Sequence, residues 1–249
     1  MKELETEIFD LSCGMRLVCR KAPLALEYFG VAVNAGSRDE KVGEYGLAHF
    51  VEHTIFKGTD RRRAGHIINR MEAVGGDLNA FTSKEETNVY SVFPRGNLSR
   101  AIDLIADLLA NSRFPEKEID REREVVRDEI DSYLDTPSEA VYDDFEDLFF
   151  VGSQLGHNIL GTDADLGRFT PEVCRAYLTG NFHGGRMVAY YLGPESPRRV
   201  MAKVSRGFDG IRGRGQSLDR REPASVARFD IRRETETHQS HTVVGARLP

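Results

Sequence analysis

The stretch YGLAHFVEHTIFKG, residues 45–58, constrains the fold more than any other part of this 249-residue chain. Its apolar residues suit a buried helix, yet the run also carries His49, Glu52 and His53. On a helix advancing about 100° per residue, the two histidines lie about 40° apart with Glu52 on the same side. One face of the helix thus presents two nitrogen ligands and one carboxylate. Imidazoles at i and i+4 can both reach one ion at roughly 2.0–2.1 Å, and a carboxylate that is not a ligand can act as general base toward the ion's water. Taken singly, either histidine reads as an ordinary half-buried residue, so the metal reading requires a third ligand elsewhere.

The acidic segment PEKEIDREREVVRDEIDSYLD, residues 115–135, offers candidates. With Ile119 set at zero, Val126, Ile130 and Tyr133 fall at about 340°, 20° and 320°, which defines an apolar stripe. Glu122 at about 300° and Glu129 at about 280° lie in or beside it. Asp120, Glu124, Asp128, Asp131 and Asp135 gather on the opposite side, where a solvated charged face accounts for them. An unpaired buried carboxylate is costly, so the two stripe acids need a partner, and a metal ion carrying two imidazoles would be one. Glu118 also lies near the stripe and Arg123 could pair with one acid, so helical geometry leaves the choice of ligand open.

Around these two helices the periodicity alternates. EIFDLSCGMRLVCRKAP reads as two strands about a Cys-Gly turn, YFGVAVNAGSRDE as a third strand, and DLNAFTS with TNVYSVFP as a hairpin about KEE. AGHIINRMEAVGG, NLSRAIDLIADLLANSRF, SEAVYDDFEDLFF, TPEVCRAYLTGNF and SPRRVMAKVSRGF read as helices. Pro115 is expected at a first helical position, and Thr170 as a cap ahead of Pro171. RMVAYYLG is a buried strand. Residues 207–228, rich in Gly and Arg without periodicity, read as a linker, and residues 229–249 as two strands that begin a new unit. The expected fold class is α+β, a mostly antiparallel sheet of five to six strands with helices on one face.

With 34 basic and 40 acidic residues and a net charge of −6, no basic block exists to neutralise phosphates, so no nucleic-acid partner is expected. Cys13, Cys19 and Cys174 have neither disulfide nor zinc-site spacing, which favours a reducing, cytoplasmic location. No apolar run reaches bilayer length, so no membrane partner is expected. His66, His157, His183, His238 and His241 have no comparable partners in sequence and receive no function. LGTDADLGRF does not follow a strand-to-helix phosphate pattern.

NAGSRDE, GLAHFVEHTIFKGT, MEAVGGDLNAFTSKEETNVY, IDREREVVRDEI and LGTDADLGRFTPEVCRAYLTGNF occur in this order. Together they resemble the N-terminal half of the inverzincin peptidases, the family of pitrilysin, insulin-degrading enzyme and the mitochondrial processing peptidase, in its shorter bacterial form. The resemblance implies one zinc ion per chain held by His49, His53 and Glu129, with Glu52 as general base and Glu122 as a supporting acid. It also implies that a peptide substrate adds as a strand to a sheet edge at Asn79, Ala80, Phe81 and Thr82.

On this basis residues 1–206 are an N-terminal zinc-binding peptidase domain, 207–228 a linker and 229–249 the start of a truncated second homologous domain. The expected activity is zinc-dependent endopeptidase hydrolysis of short or unfolded peptides, weak or absent in this chain alone. The missing C-terminal half or a homologous subunit is the expected partner, and exposed sheet edges would allow a homodimer. The opposing expectation is a non-catalytic structural or peptide-binding subunit of the same fold.

Overall fold

The structure, a computed structural model, describes residues 6–211, 213, 215, 217–223, 228–234 and 239–247. Six strands form one sheet: β1 (Thr6–Asp10), β2 (Arg16–Lys21), β3 (Leu26–Val33), β4 (Asp77–Thr82), β5 (Thr87–Pro94) and β6 (Met187–Gly193). Their order across the sheet is β1-β2-β6-β3-β5-β4. Every pairing is antiparallel except β2 with β6.

The strand alternation seen in the sequence sets which face is buried. Phe9, Leu17, Ala189, Val31, Val89 and Ala80 fall in one row across all six strands. All six belong to the apolar core or pack on it. A slip of one residue in any strand would move its share of that row to the other face. On that other face Ile8, Tyr28, Phe81 and Val188 remain exposed.

Among the described residues eight α-helices complete the domain: α1 (Leu47–Ile55), α2 (Ala64–Glu72), α3 (Leu98–Asn111), α4 (Glu116–Leu134), α5 (Pro137–Phe149), α6 (Asp163–Leu166), α7 (Pro171–Asn181) and α8 (Pro197–Gly207). Helix α3 crosses β3 and β5, α8 covers β2, and α1 and α2 lie against β4. The result is a two-layer α+β domain with its helices on one face of the sheet. None of the described helices is long and apolar enough to cross a membrane.

Local expectations hold at most helix starts. The Thr170 side chain accepts from the Val173 amide ahead of Pro171, which satisfies one of the free amides of α7. Pro137 occupies the first turn of α5. Pro115 differs, because it is the extended residue before α4 and the helix begins at Glu116. Its fixed φ suits either place, and its ψ of 131° puts it outside the helix. Cys13, Cys19 and Cys174 are all free and buried.

Beyond Ile211 no described residue belongs to a helix or strand. The two strands expected over 229–249 have no ladder among the described residues, and parts of that stretch, 235–238 and 248–249, lie outside them. A strand exists only by pairing, and none of the described residues of that stretch is paired with a strand. Within the stretch read as linker, residues 217–223 lie against the domain. The Arg220 guanidinium donates to both carboxylate oxygens of Asp39 at 3.0 and 2.7 Å, and to Asn34 Oδ1 at 2.7 Å.

Candidate metal centre

Helix α1 is wedged between α4, α7 and β4, which explains its apolar composition. Phe50 is fully buried and its ring meets Phe169 at a centroid distance of 5.3 Å. With Phe50, Val51 and Ile55 turned into the core, the helical period leaves His49, Glu52 and His53 facing α4 and the edge strand β4.

Helix α4 brings Glu129 to the two imidazoles. His49 Nε2 lies 3.7 Å and His53 Nε2 3.5 Å from Glu129 Oε2, and one ligand atom from each residue falls within 4.8 Å of the others. Ligand atoms about 2.0–2.1 Å from a common tetrahedral centre lie roughly 3.4 Å apart. The donor set therefore fits a zinc ion with small adjustments. The imidazole rings are 4.5 Å apart, nearly edge to face. Burial, aided by the neighbouring His53, lowers the His49 pKa to about 3, so its ring is neutral near pH 7 and its lone pair is available to a metal.

Glu122 is buried two turns before Glu129 and does not join the three-residue cluster. One of its oxygens is 3.0 Å from His53 Nδ1 and the other 2.6 Å from Lys57 Nζ. That contact favours the His53 tautomer with its proton on Nδ1 and its lone pair on Nε2, toward Glu129. His49 Nδ1 is buried and has no partner among the described residues.

The other candidates raised on α4 have partners of their own. Glu118 pairs with Arg121 on the surface. Arg123 pairs with Asp120 and donates to the carbonyls of Leu166 and Phe169, leaving both stripe acids to other partners.

Glu52 points toward β4. Burial raises its pKa above the ordinary carboxylate range, the Glu129 charge adds to the rise, and the Thr82 hydroxyl and His53 oppose it. Thr82 Oγ1 is buried beside Glu52 without a well-formed hydrogen bond. A raised carboxylate pKa suits a group that must both take and release a proton near neutrality.

Strand β4 is a free edge of the sheet. Ser83 donates to the Glu86 carbonyl at the turn, and the antiparallel alternation then gives the main-chain groups of Phe81 and Asn79 to β5. Those of Thr82, Ala80 and Leu78 face outward. The Ala80 amide accordingly donates to Asn79 Oδ1 at 3.0 Å instead of to the ladder. An open strand edge thus passes directly beside Glu52.

Three residues around α1 escaped the sequence reading. Lys57 continues the 49–53 stripe by one more turn, a spacing that could have found it. Glu40 and His157 meet at 3.1 Å near the start of α1 although 117 residues apart, and nothing local announces that.

A one-faced sheet thus carries an imidazole pair on one helix and an acid on another that together could hold a metal ion. Residues 20–163 match the family model of insulinase, peptidase family M16, and the chain belongs to that family. The mitochondrial-processing peptidase subunit beta of Dictyostelium discoideum is 34% identical over 209 residues, covering 84% of this chain and 45% of that protein. The Bacillus subtilis protein named uncharacterized zinc protease YmxG is 32% identical over 233 residues, covering 93% and 56%. The chain therefore spans about half the length of the curated relatives it matches.

Among solved structures, a protease from Helicobacter pylori superposes with a TM-score of 0.82 at 22% identity, covering 89% of this chain and 54% of that one. A peptidase M16 inactive domain from Pseudomonas fluorescens superposes at 0.83 with 15% identity, over 89% and 54%. At these identities the likeness concerns the fold. The pair also shows that this fold occurs in a domain described as inactive, so activity must be argued from the site.

Proposed function

We propose that this chain is the zinc-binding half of a metalloendopeptidase that hydrolyses short or unfolded peptides. The observation that carries the reading is the convergence of His49, His53 and Glu129 beside Glu52 and the open edge of β4. His49, His53 and Glu129 would hold the ion. Zinc bound there supplies a Lewis acid that acidifies water and polarises a carbonyl. Glu52 takes the proton of the attacking water and delivers it to the leaving amine, a role its raised pKa suits. Glu122 holds the proton on His53 Nδ1 and keeps the ring oriented. The outward main-chain groups of Ala80 and Thr82 bind the substrate backbone, while Asn79 and Phe81 flank it, which accounts for breadth of sequence preference.

Because the relatives are about twice as long, full activity is assigned to this chain together with a second half or a homologous subunit. The test is elemental mass spectrometry of the purified, zinc-refilled chain beside His53→Ala and Glu129→Gln. One zinc per chain, lost in both variants, supports the reading. A folded chain that binds none, or variants that keep it, overturns the ligand assignment. Peptide hydrolysis on adding the second half then separates an enzyme from a non-catalytic subunit.

A further inference from the structure

Helix α1 has only nine residues, and its first turn must present amide groups that have no partner within the helix. The residue before it, Gly46, has φ 91° and no side chain with which to cap it. The cap comes from upstream instead. Glu40 Oε2 accepts from the Gly46 amide at 2.9 Å and Oε1 from the Ala48 amide at 2.7 Å, and the Glu40 side chain is fully buried.

A second residue fixes Glu40 in turn. His157 Nε2 lies 3.1 Å from Glu40 Oε2 and 3.0 Å from the Ser37 carbonyl, so the nitrogen facing these two acceptors carries the proton. The His157 ring stacks on Tyr45 at 4.1 Å, with 21° between the planes. Its carbonyl accepts from Lys84 at the turn between β4 and β5, and Lys84 also pairs with Glu146 of α5 at 3.3 Å.

The loop around His157 is fitted to this place. A side chain at Gly46 would strike the Leu160 carbonyl, and one at Gly161 would strike the Tyr45 carbonyl. Three segments distant in sequence thus meet at one end of the helix that bears His49 as its third residue.

We infer that Glu40 and His157 are positioning residues, which fix the first turn of α1 and so the directions of His49, Glu52 and His53. A surface cap would stabilise the helix but leave it free to shift with its own end. A buried carboxylate tied to the 37–39 turn and to the 157–161 loop sets where the helix starts relative to β4 and α4. Glu40→Gln cannot reproduce this, because an amide must turn an N–H toward either the two Oε2 donors or the Ala48 donor.

The inference rests on the metal reading proposed above, and its test separates the two. The full chain, Glu40→Gln, His157→Gln and a core lesion remote from the site, Val204→Ala, are titrated with zinc against a competing chelator. Their cobalt(II) absorption spectra and the amide exchange of α1 are recorded alongside. Glu40→Gln and His157→Gln should bind zinc about tenfold more weakly with an altered cobalt spectrum, the low end of the loss seen when direct outer partners of metal ligands are removed, because neither residue touches a ligand side chain. Val204→Ala should lose stability yet keep wild-type affinity and spectrum.

Wild-type affinity and spectrum in Glu40→Gln and His157→Gln, or a loss no larger than in Val204→Ala, overturns the inference. Should the unmutated chain bind no metal, the ligand assignment fails and exchange decides the positioning role. Faster exchange confined to residues 46–53 in Glu40→Gln supports it, and unchanged exchange overturns it.

Discussion

Glu122 bridges two side chains from the stretch that carries α1, 3.0 Å from His53 Nδ1 and 2.6 Å from Lys57 Nζ. Its carboxylate is buried, so the Lys57 charge satisfies what would otherwise be an unpaired buried group. Replacing it with Gln keeps the volume but removes the charge that holds the His53 proton on Nδ1. Glu122→Gln should fold and bind zinc about 10- to 100-fold more weakly, as measured by chelator competition. An unchanged affinity would show that His53 is oriented without it.

Glu52 separates binding from chemistry. In the protein completed by its second half, Glu52→Gln should keep full zinc content while peptide hydrolysis falls by about 100- to 10,000-fold, the usual contribution of a general base. Loss of metal in this variant would mean that Glu52 is a ligand.

His49 makes the metal-free fold sensitive to acid. Its folded pKa is lowered to about 3 by burial and by His53, against an ordinary value of 6.5. Between those values the unfolded chain binds a proton that the folded chain does not, so the contribution is present above pH 6.5 and is lost as pH falls. From pH 6.5 to 5 this residue alone should cost ~2 kcal/mol of stability. Urea unfolding in EDTA at several pH values would show the slope, and His49→Leu should flatten it.

The edge strand can be tested at a single amide. Ala80 faces its N–H away from β5, so Ala80→Pro removes a substrate contact without taking a bond from the ladder, a placement proline tolerates on an edge. The completed protein should show a KM for peptide raised about tenfold or more, one lost tenfold corresponding to about 1.4 kcal/mol, with zinc content unchanged. A KM equal to that of the unmutated protein would remove β4 from the substrate path.

Much of the site could be read before any coordinates. The i, i+4 histidines and the seven-residue spacing of Glu122 and Glu129 are properties of single helices, so helical geometry finds them. It could not rank the two acids, because their difference is tertiary. Glu122 meets Lys57, whereas Glu129, its side chain 43% exposed, lies at the open mouth where both imidazoles point. Arg123 was open to misreading for the same reason, since besides Asp120 its acceptors are carbonyls 43 and 46 positions away. Strands β4 and β5 were legible as a hairpin through their short polar turn, but no local signal could tell β6 which strands to join. Glu40 and His157 lay beyond reach because each looks ordinary in its own segment.

The place of β6 in the sheet has a consequence for how the chain is made. Strands β1 and β2 form one hairpin, and β3, β5 and β4 form one antiparallel group with β5 in the middle, but the two share no edge until β6 enters between β2 and β3. A ribosome that has released the first 180 residues has produced the whole candidate metal site and two separate pieces of sheet. Only when residues 187–193 emerge can both pieces be bridged, one by parallel and one by antiparallel pairing. Until then the inner edges of β2 and β3 stand open as well as the outer ones beside a nascent core, the stage at which such a chain is most exposed to wrong partners.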